Sequence, residues 1–224
     1  MKQETILFDL WGVVLCQLEA GKVMVDAYTI QAQLDNIPQQ TIEQRIREYE
    51  LVLQNDKSVA DRKTEIVNTV QDLAEKYIET ADDPNIKQNL EDAIYQDFKD
   101  VHERAVEDGY NVAIFTTRQA EWMREYIDDL GTIYDAQDGK SAKRINEIVE
   151  IEASEGKTVV SFTEDAAKAL LAAKESGEIQ NLIYLNRGDN GMTPEECEEL
   201  GIIYTEDLNE VYDELTGEEN EEQE

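Results

Sequence analysis

Five short apolar segments constrain this chain more than any other feature. They are Thr5–Phe8, Asn111–Thr116, Thr158–Phe162, Asn181–Leu185 and Gly201–Tyr204. Most are runs of β-branched or aromatic residues, the pattern of parallel strands covered on both faces. Helical patterns separate the later ones. Trp122, Met123, Tyr126, Ile127 and Leu130 form one apolar stripe, and Ala166 to Ala173 is a helix-favouring run. Thr193 and Pro194 have the chemistry of an N-cap and a first helical residue for a helix running to Leu200. Strand–helix alternation of this kind predicts an α/β fold, an open, doubly wound parallel sheet.

Between the first two strands lie about 90 residues with little strand character. Three stripes there step by three and four: Ile42, Ile46, Tyr49, Leu53; then Val67, Val70, Leu73, Tyr77; then Leu90, Ile94, Phe98, Val101, Ala105. Pro38 and Ala81-Asp82-Asp83-Pro84 break the stretch into roughly four helices. The expected organisation is an α/β core from residues 1–14 and 109–216, a helical insertion over 15–108, and a disordered acidic tail at 217–224. The sole histidine, His102, has Asp100, Glu103 and Arg104 around it and is expected on an exposed helical face.

The charge narrows the partners. Twenty Lys and Arg against 52 Asp and Glu leave a net charge of −32. Such a surface repels nucleic acid and anionic membranes, so neither is an expected partner. The acids are dispersed through the body, a coat suited to high salt, where screening removes self-repulsion. Met1-Lys2-Gln3-Glu4-Thr5 has no basic region followed by a long apolar one, so no signal peptide is expected. Cys16 and Cys197 stand alone and without metal-ligand spacing, as free thiols do in a cytoplasmic protein.

Open α/β sheets carry their sites at the C-terminal ends of strands. Asp9 follows the first strand in Ile6-Leu7-Phe8-Asp9-Leu10-Trp11-Gly12-Val13-Val14, Thr116-Thr117 follow the second, and Glu164-Asp165 follow the third. Lys140 lies between the second and third strands, after Asp135-Ala136-Gln137-Asp138-Gly139. A carboxylate can attack phosphorus, a second carboxylate beside it calls for a cation, and magnesium prefers oxygen ligands. A lysine and a hydroxyl then neutralise and hydrogen-bond the phosphoryl oxygens. Taken singly, each residue is ordinary. Together, and in this order, they form a phosphoryl-transfer set.

The set resembles the motifs of the haloacid dehalogenase superfamily, whose members are mostly magnesium-dependent phosphatases. Phe8-Asp9-Leu10-Trp11-Gly12 is similar to the first motif, Val112 to Thr116 to the second, Lys140 to the third and Glu164-Asp165 to the fourth. The resemblance implies Asp9 as nucleophile, Thr116 and Lys140 on the phosphoryl oxygens, and a magnesium ion held by Asp9, the Trp11 carbonyl, Asp165 and Glu164. It also implies that the insertion is a cap closing over a small phosphorylated metabolite. Residues 109–212 are closer to enolase-phosphatase, in Thr116-Thr117, Gly139-Lys140, the Ala-rich helix and Asn186 to Gly191. Thr117 and Arg118 are candidate substrate contacts. Arg187 is either a turn residue or an anion-binding one at the site's mouth.

Trp11 departs from the pattern. Phosphatases of this superfamily carry a carboxylic acid there, which protonates the leaving oxygen. An indole N–H is a donor only and does not titrate. Val13 likewise replaces a hydroxyl that often braces the site. Two readings follow: a magnesium-dependent phosphohydrolase working through an aspartyl-phosphate, or a binding protein that keeps the fold and lacks the general acid. Dehalogenase chemistry is a weaker third, because the acids at 164 and 165 suit a metal.

Overall fold

The computed structural model describes residues 3–54, 56–117, 120–136, 139–188 and 191–217. The chain divides into two compact units, one of residues 1–14 and 95–224, the other Leu15–Ile94. Of the expected tail at 217–224, Gly217 is the C-cap of the helix Tyr212–Thr216, and 218–224 lie outside the described residues.

The first unit is built on six parallel strands: β1 (Glu4–Phe8), β2 (Asn111–Thr116), β3 (Ile133–Asp135), β4 (Thr158–Glu164), β5 (Asn181–Leu185) and β6 (Ile203–Thr205). Their order is β3-β2-β1-β4-β5-β6. The chain order reverses between β1 and β4, the place where sheets of this kind open a crevice at their C-terminal edge. The strands are rich in apolar residues because both faces are covered. Leu7, Phe115, Phe162 and Tyr184 join a core with Ile145, Ile148, Leu170 and Ala173 from two helices, α6 (Ala142–Ser154) and α7 (Ala167–Ser176). On β1, Phe8 meets Phe98 of α5 (Gln96–Glu107) edge to face, ring centroids 5.2 Å apart. Two short helices, α8 (Pro194–Leu200) and α9 (Tyr212–Thr216), complete the unit. Thr193 and Glu196 close a capping box on α8, so two backbone donors that the helix leaves orphaned are satisfied.

The second unit packs α1 (Gln17–Leu34) against α2 (Gln39–Leu53), α3 (Lys63–Thr80) and α4 (Pro84–Ala93). Gly21 lets Leu53 pack closely on α1: a Cβ there would stand 2.7 Å from Leu53 Cδ1, so that side chain would have to shift. Asp83 caps α4 through the amides of Asn85 and Ile86, with Pro84 at the first turn. No helix among the described residues is long and apolar enough to cross a membrane.

Several expectations need correction. A sixth strand, β3, is three residues long and too short to stand out as an apolar run. The stripe from Trp122 to Leu130 buries Trp122, Met123, Ile127 and Leu130, but as a 3₁₀ turn over Glu121–Glu125 with no α-helix. The chain must come straight back to the sheet there. Gly131 N donates to Val112 O at 2.8 Å, and a Cβ on Gly131 would lie 2.1 Å from that oxygen. In α3 the buried face is Ile66, Val70, Ala74 and Ile78, rotated from the expected stripe. His102 is buried against Phe98, not exposed, and burial holds its pKa below the usual imidazole value. Finally, α5, expected within the insertion over 15–108, belongs to the sheet unit, because Phe98, Val101 and Ala105 are buried and Phe98 packs on β1.

Candidate active site

Parallel register carries the carboxylates to one edge. Phe8 of β1 pairs with Ile114 of β2 and Thr163 of β4, so the residues that follow all leave the sheet at the same end. Asp9 takes its place through its amide, which donates to Thr163 O at 2.9 Å. Glu164, the last residue of β4, has only 1% of its surface exposed, and Asp9 has 7%. Lys140 reaches both: its Nζ donates to Asp9 Oδ1 and, at 2.6 Å, to Glu164 Oε2. The Lys140 side chain is buried as well, its ammonium 5.3 Å from the centroid of Phe115 and 5.7 Å from that of Phe162. The other Glu164 oxygen accepts from the amides of Asp165 and Ala166, each at 3.1 Å.

One buried ammonium does not balance two buried carboxylates. Burial and the neighbouring Glu164 charge raise Asp9 from 3.8 to about 7, against the opposing pull of Lys140 and the Leu10 amide. Burial raises Glu164 from 4.5 to about 7, again against Lys140. Burial pushes the Lys140 ammonium down, but Asp9 and Glu164 outweigh it and its pKa ends above the ordinary lysine value. The surplus is negative, which is what a site for a hard cation needs. Asp9, Glu164 and Asp165 each offer an oxygen, and these oxygens lie within 4.8 Å of one another. Three clustered carboxylates, two of them buried, fit a magnesium ion, which takes oxygen ligands.

The remaining expected residues fall as follows. Thr116 ends β2, fully buried, and its Oγ1 has no hydrogen-bond partner. Thr117 is exposed, and Arg118 lies outside the described residues. Trp11 is half-buried, its indole N–H buried and without a partner, just before Gly12, whose φ of +87° only glycine adopts readily. Arg187 is engaged elsewhere in the unit. Its guanidinium donates to Asp97 Oδ1 at 2.7 Å and stacks 3.9 Å over the Tyr95 ring. Asp97 in turn accepts from Leu208 N at 3.1 Å. So the structure joins Asp9, Lys140, Glu164 and Asp165, and ties Arg187 to a different cluster. Sequence reasoning missed Phe115 and Phe162 as the floor beneath Lys140, and Thr163, whose carbonyl holds the Asp9 amide and whose own Oγ1 is buried and unpaired. Phe115 and Thr163 each stand one residue before a site residue at a strand's end, which was the available signal.

No family model matches the sequence, and no curated protein matches it. Solved structures match the fold across nearly the whole chain. A HAD hydrolase, YfnB from Bacillus subtilis, solved bound to magnesium, superposes with a TM-score of 0.56 at 17% identity, covering 96% of this chain and 99% of that one. A 2-haloacid dehalogenase from Pseudomonas syringae pv. Tomato DC3000 gives 0.56 at 14%, covering 96% and 98%. A predicted phosphatase from Clostridium acetobutylicum gives 0.55 at 11%, covering 96% and 99%. At such identities the likeness is one of fold, and the fold is that of the haloacid dehalogenase-like hydrolases.

Proposed function

We propose that this chain, with the fold of the haloacid dehalogenase-like hydrolases, is a magnesium-dependent phosphohydrolase acting on a small phosphorylated metabolite. The observation that carries the reading is the convergence of Asp9, Lys140, Glu164 and Asp165 on one edge of the sheet, beside its switch point. In this reading Asp9, Asp165, Glu164 and the Trp11 carbonyl hold the ion, and the helical unit from Leu15 to Ile94 takes the cap's role of selecting substrate. Once bound, magnesium would supply charge neutralisation at the phosphoryl oxygens.

The chain's residues divide the rest of the work. An oxygen of Asp9 bonds to phosphorus as the bond from phosphorus to the leaving alcohol breaks. Lys140 and the Thr116 hydroxyl hydrogen-bond the phosphoryl oxygens through that change. The leaving oxygen takes its proton from solvent, since the Trp11 indole does not titrate. Water then adds to the phosphorus of the aspartyl-phosphate, the bond to Asp9 breaks, and inorganic phosphate leaves with Asp9 restored. Missing general acid–base help costs roughly 100- to 10,000-fold, so turnover is slow unless the leaving group is already stable.

Trp11 also favours a second reading, a protein that binds magnesium and a phosphorylated ligand without turnover. The two separate on phosphate release from p-nitrophenyl phosphate and from a panel of sugar and keto-phosphates, with and without magnesium, in high potassium chloride. Magnesium-dependent release lost in Asp9→Asn supports the enzyme. No release from folded protein, with retained magnesium binding, supports the binding protein.

A further inference from the structure

Lys140 draws on oxygens that a metal ion at this site also needs. Its Nζ is bonded to Asp9 Oδ1 and Glu164 Oε2, and the remaining Glu164 oxygen already receives two amides. A cation that takes Asp9 Oδ1 or Glu164 Oε2 must share that oxygen with the ammonium or displace it. Two positive charges sharing buried carboxylates repel strongly, since little solvent screens them. The backbone beside Lys140 is held: Gly139 N donates to Ala136 O at 2.6 Å, Ser141 N donates to Gly139 O at 3.0 Å, and Ser141 is the N-cap of α6. The lysine's flexible four-carbon stem is what lets its ammonium yield.

Resting on the phosphohydrolase reading, we propose that Lys140 is a resident counter-cation that competes with the divalent ion for Asp9 and Glu164 and so sets the chain's metal affinity. The ammonium keeps two buried carboxylates compatible with folding, and the same contact weakens the metal site. Removing the positive charge has two opposed effects. Stability without metal falls, because the carboxylates lose their ammonium. Metal affinity rises, because nothing cationic is left to displace.

The test is calorimetric titration of the full chain with Mn²⁺ and with Mg²⁺, after chelation and dialysis, in about 2 M potassium chloride at about pH 8.5. Lys140→Met is expected to bind the ion at least about tenfold tighter than the parent, a difference of about 1.4 kcal/mol. Lys140→Gln, which keeps a hydrogen-bond donor and guards against misfolding of the first variant, is expected to shift the same way. Lys140→Arg, which keeps the charge, is expected to stay near the parent. Melting temperature in chelator, then with saturating Mn²⁺, is expected to show a larger metal-induced gain in the neutral variants. The inference is overturned if both neutral variants bind no tighter than the parent, which leaves the phosphohydrolase reading standing. If the parent shows no saturable binding that Asp165→Asn removes, the metal reading itself falls, and this inference with it.

Discussion

Lys140 Nζ stands 2.6 Å from Glu164 Oε2 while it also donates to Asp9, so one buried ammonium serves carboxylates from two neighbouring strands. Those strands are adjacent and parallel, with Phe8 opposite Thr163, so their terminal acids emerge side by side. The lysine comes from a loop and arrives from the face that Phe115 and Phe162 cover. Burial holds both carboxylates near pKa 7 against the opposing pull of Lys140.

A raised carboxylate pKa means that folding favours the protonated form. The Asp9 contribution to stability is therefore complete below its unfolded value of 3.8 and is lost as pH rises through about 7. His102 slopes the other way, because its pKa is lowered, but it is common to the parent and to an Asp9 variant. In chelator, the stability advantage of Asp9→Asn over the parent is expected to grow from about pH 5 to about pH 8, reaching about 1–3 kcal/mol. Urea melts across that range measure it. A difference that stays flat would mean that burial and the Glu164 charge do not raise the Asp9 carboxyl in the folded chain.

Trp11→Glu restores a titratable acid two residues after Asp9. Phosphate release from an alkyl phosphate, whose leaving oxygen needs a proton, is expected to rise about 10- to 100-fold. The gain with p-nitrophenyl phosphate is expected to be smaller, because that leaving group departs unprotonated. Equal gains on both substrates would exclude a general-acid role for the position.

Arg187→Ala removes the partner of Asp97, whose side chain is only 11% exposed, and the ring contact with Tyr95. The expected loss is about 1–3 kcal/mol of stability in urea melts, with KM for a phosphoester within about twofold of the parent. Asp97→Asn is expected to cost a similar amount, and the double variant less than the sum of the two. A rise in KM of tenfold or more with unchanged stability would return Arg187 to substrate binding.

The net charge of −32 predicts salt-dependent folding. The screening length shrinks from about 10 Å at 0.1 M salt to about 3 Å at 1 M, so repulsion among dispersed acids fades over that range. Melting temperature is expected to climb by several degrees between about 0.1 and 2 M potassium chloride. An unchanged or falling melting temperature would count against a high-salt setting.

Much of the fold was legible along the chain because its signals are local. Asn111–Thr116 and Asn181–Leu185 coincide with β2 and β5, since an apolar run flanked by polar residues marks a buried strand without reference to anything distant. The α8 helix was legible for the same reason, its N-cap chemistry lying within four residues. Where the signal was weak or two-sided, the reading slipped. The three residues of β3 carry too little pattern, and the α3 stripe has two possible edges. His102 has charged neighbours on either side yet lies one turn from Phe98 on the buried face of α5, a helical spacing that outweighs those neighbours.

By itself, then, the sequence determined the α/β class, the helical insertion and the appearance of acids and hydroxyls at strand ends, because period, capping and strand length are properties of neighbouring residues. The tertiary structure decided which of those groups meet. It brought Lys140 onto Asp9 from 131 positions away and Arg187 onto Asp97 from 90, and it gave α5 to the sheet unit. Such pairings depend on strand order, register and the burial of charge, and those are settled only when the whole core packs.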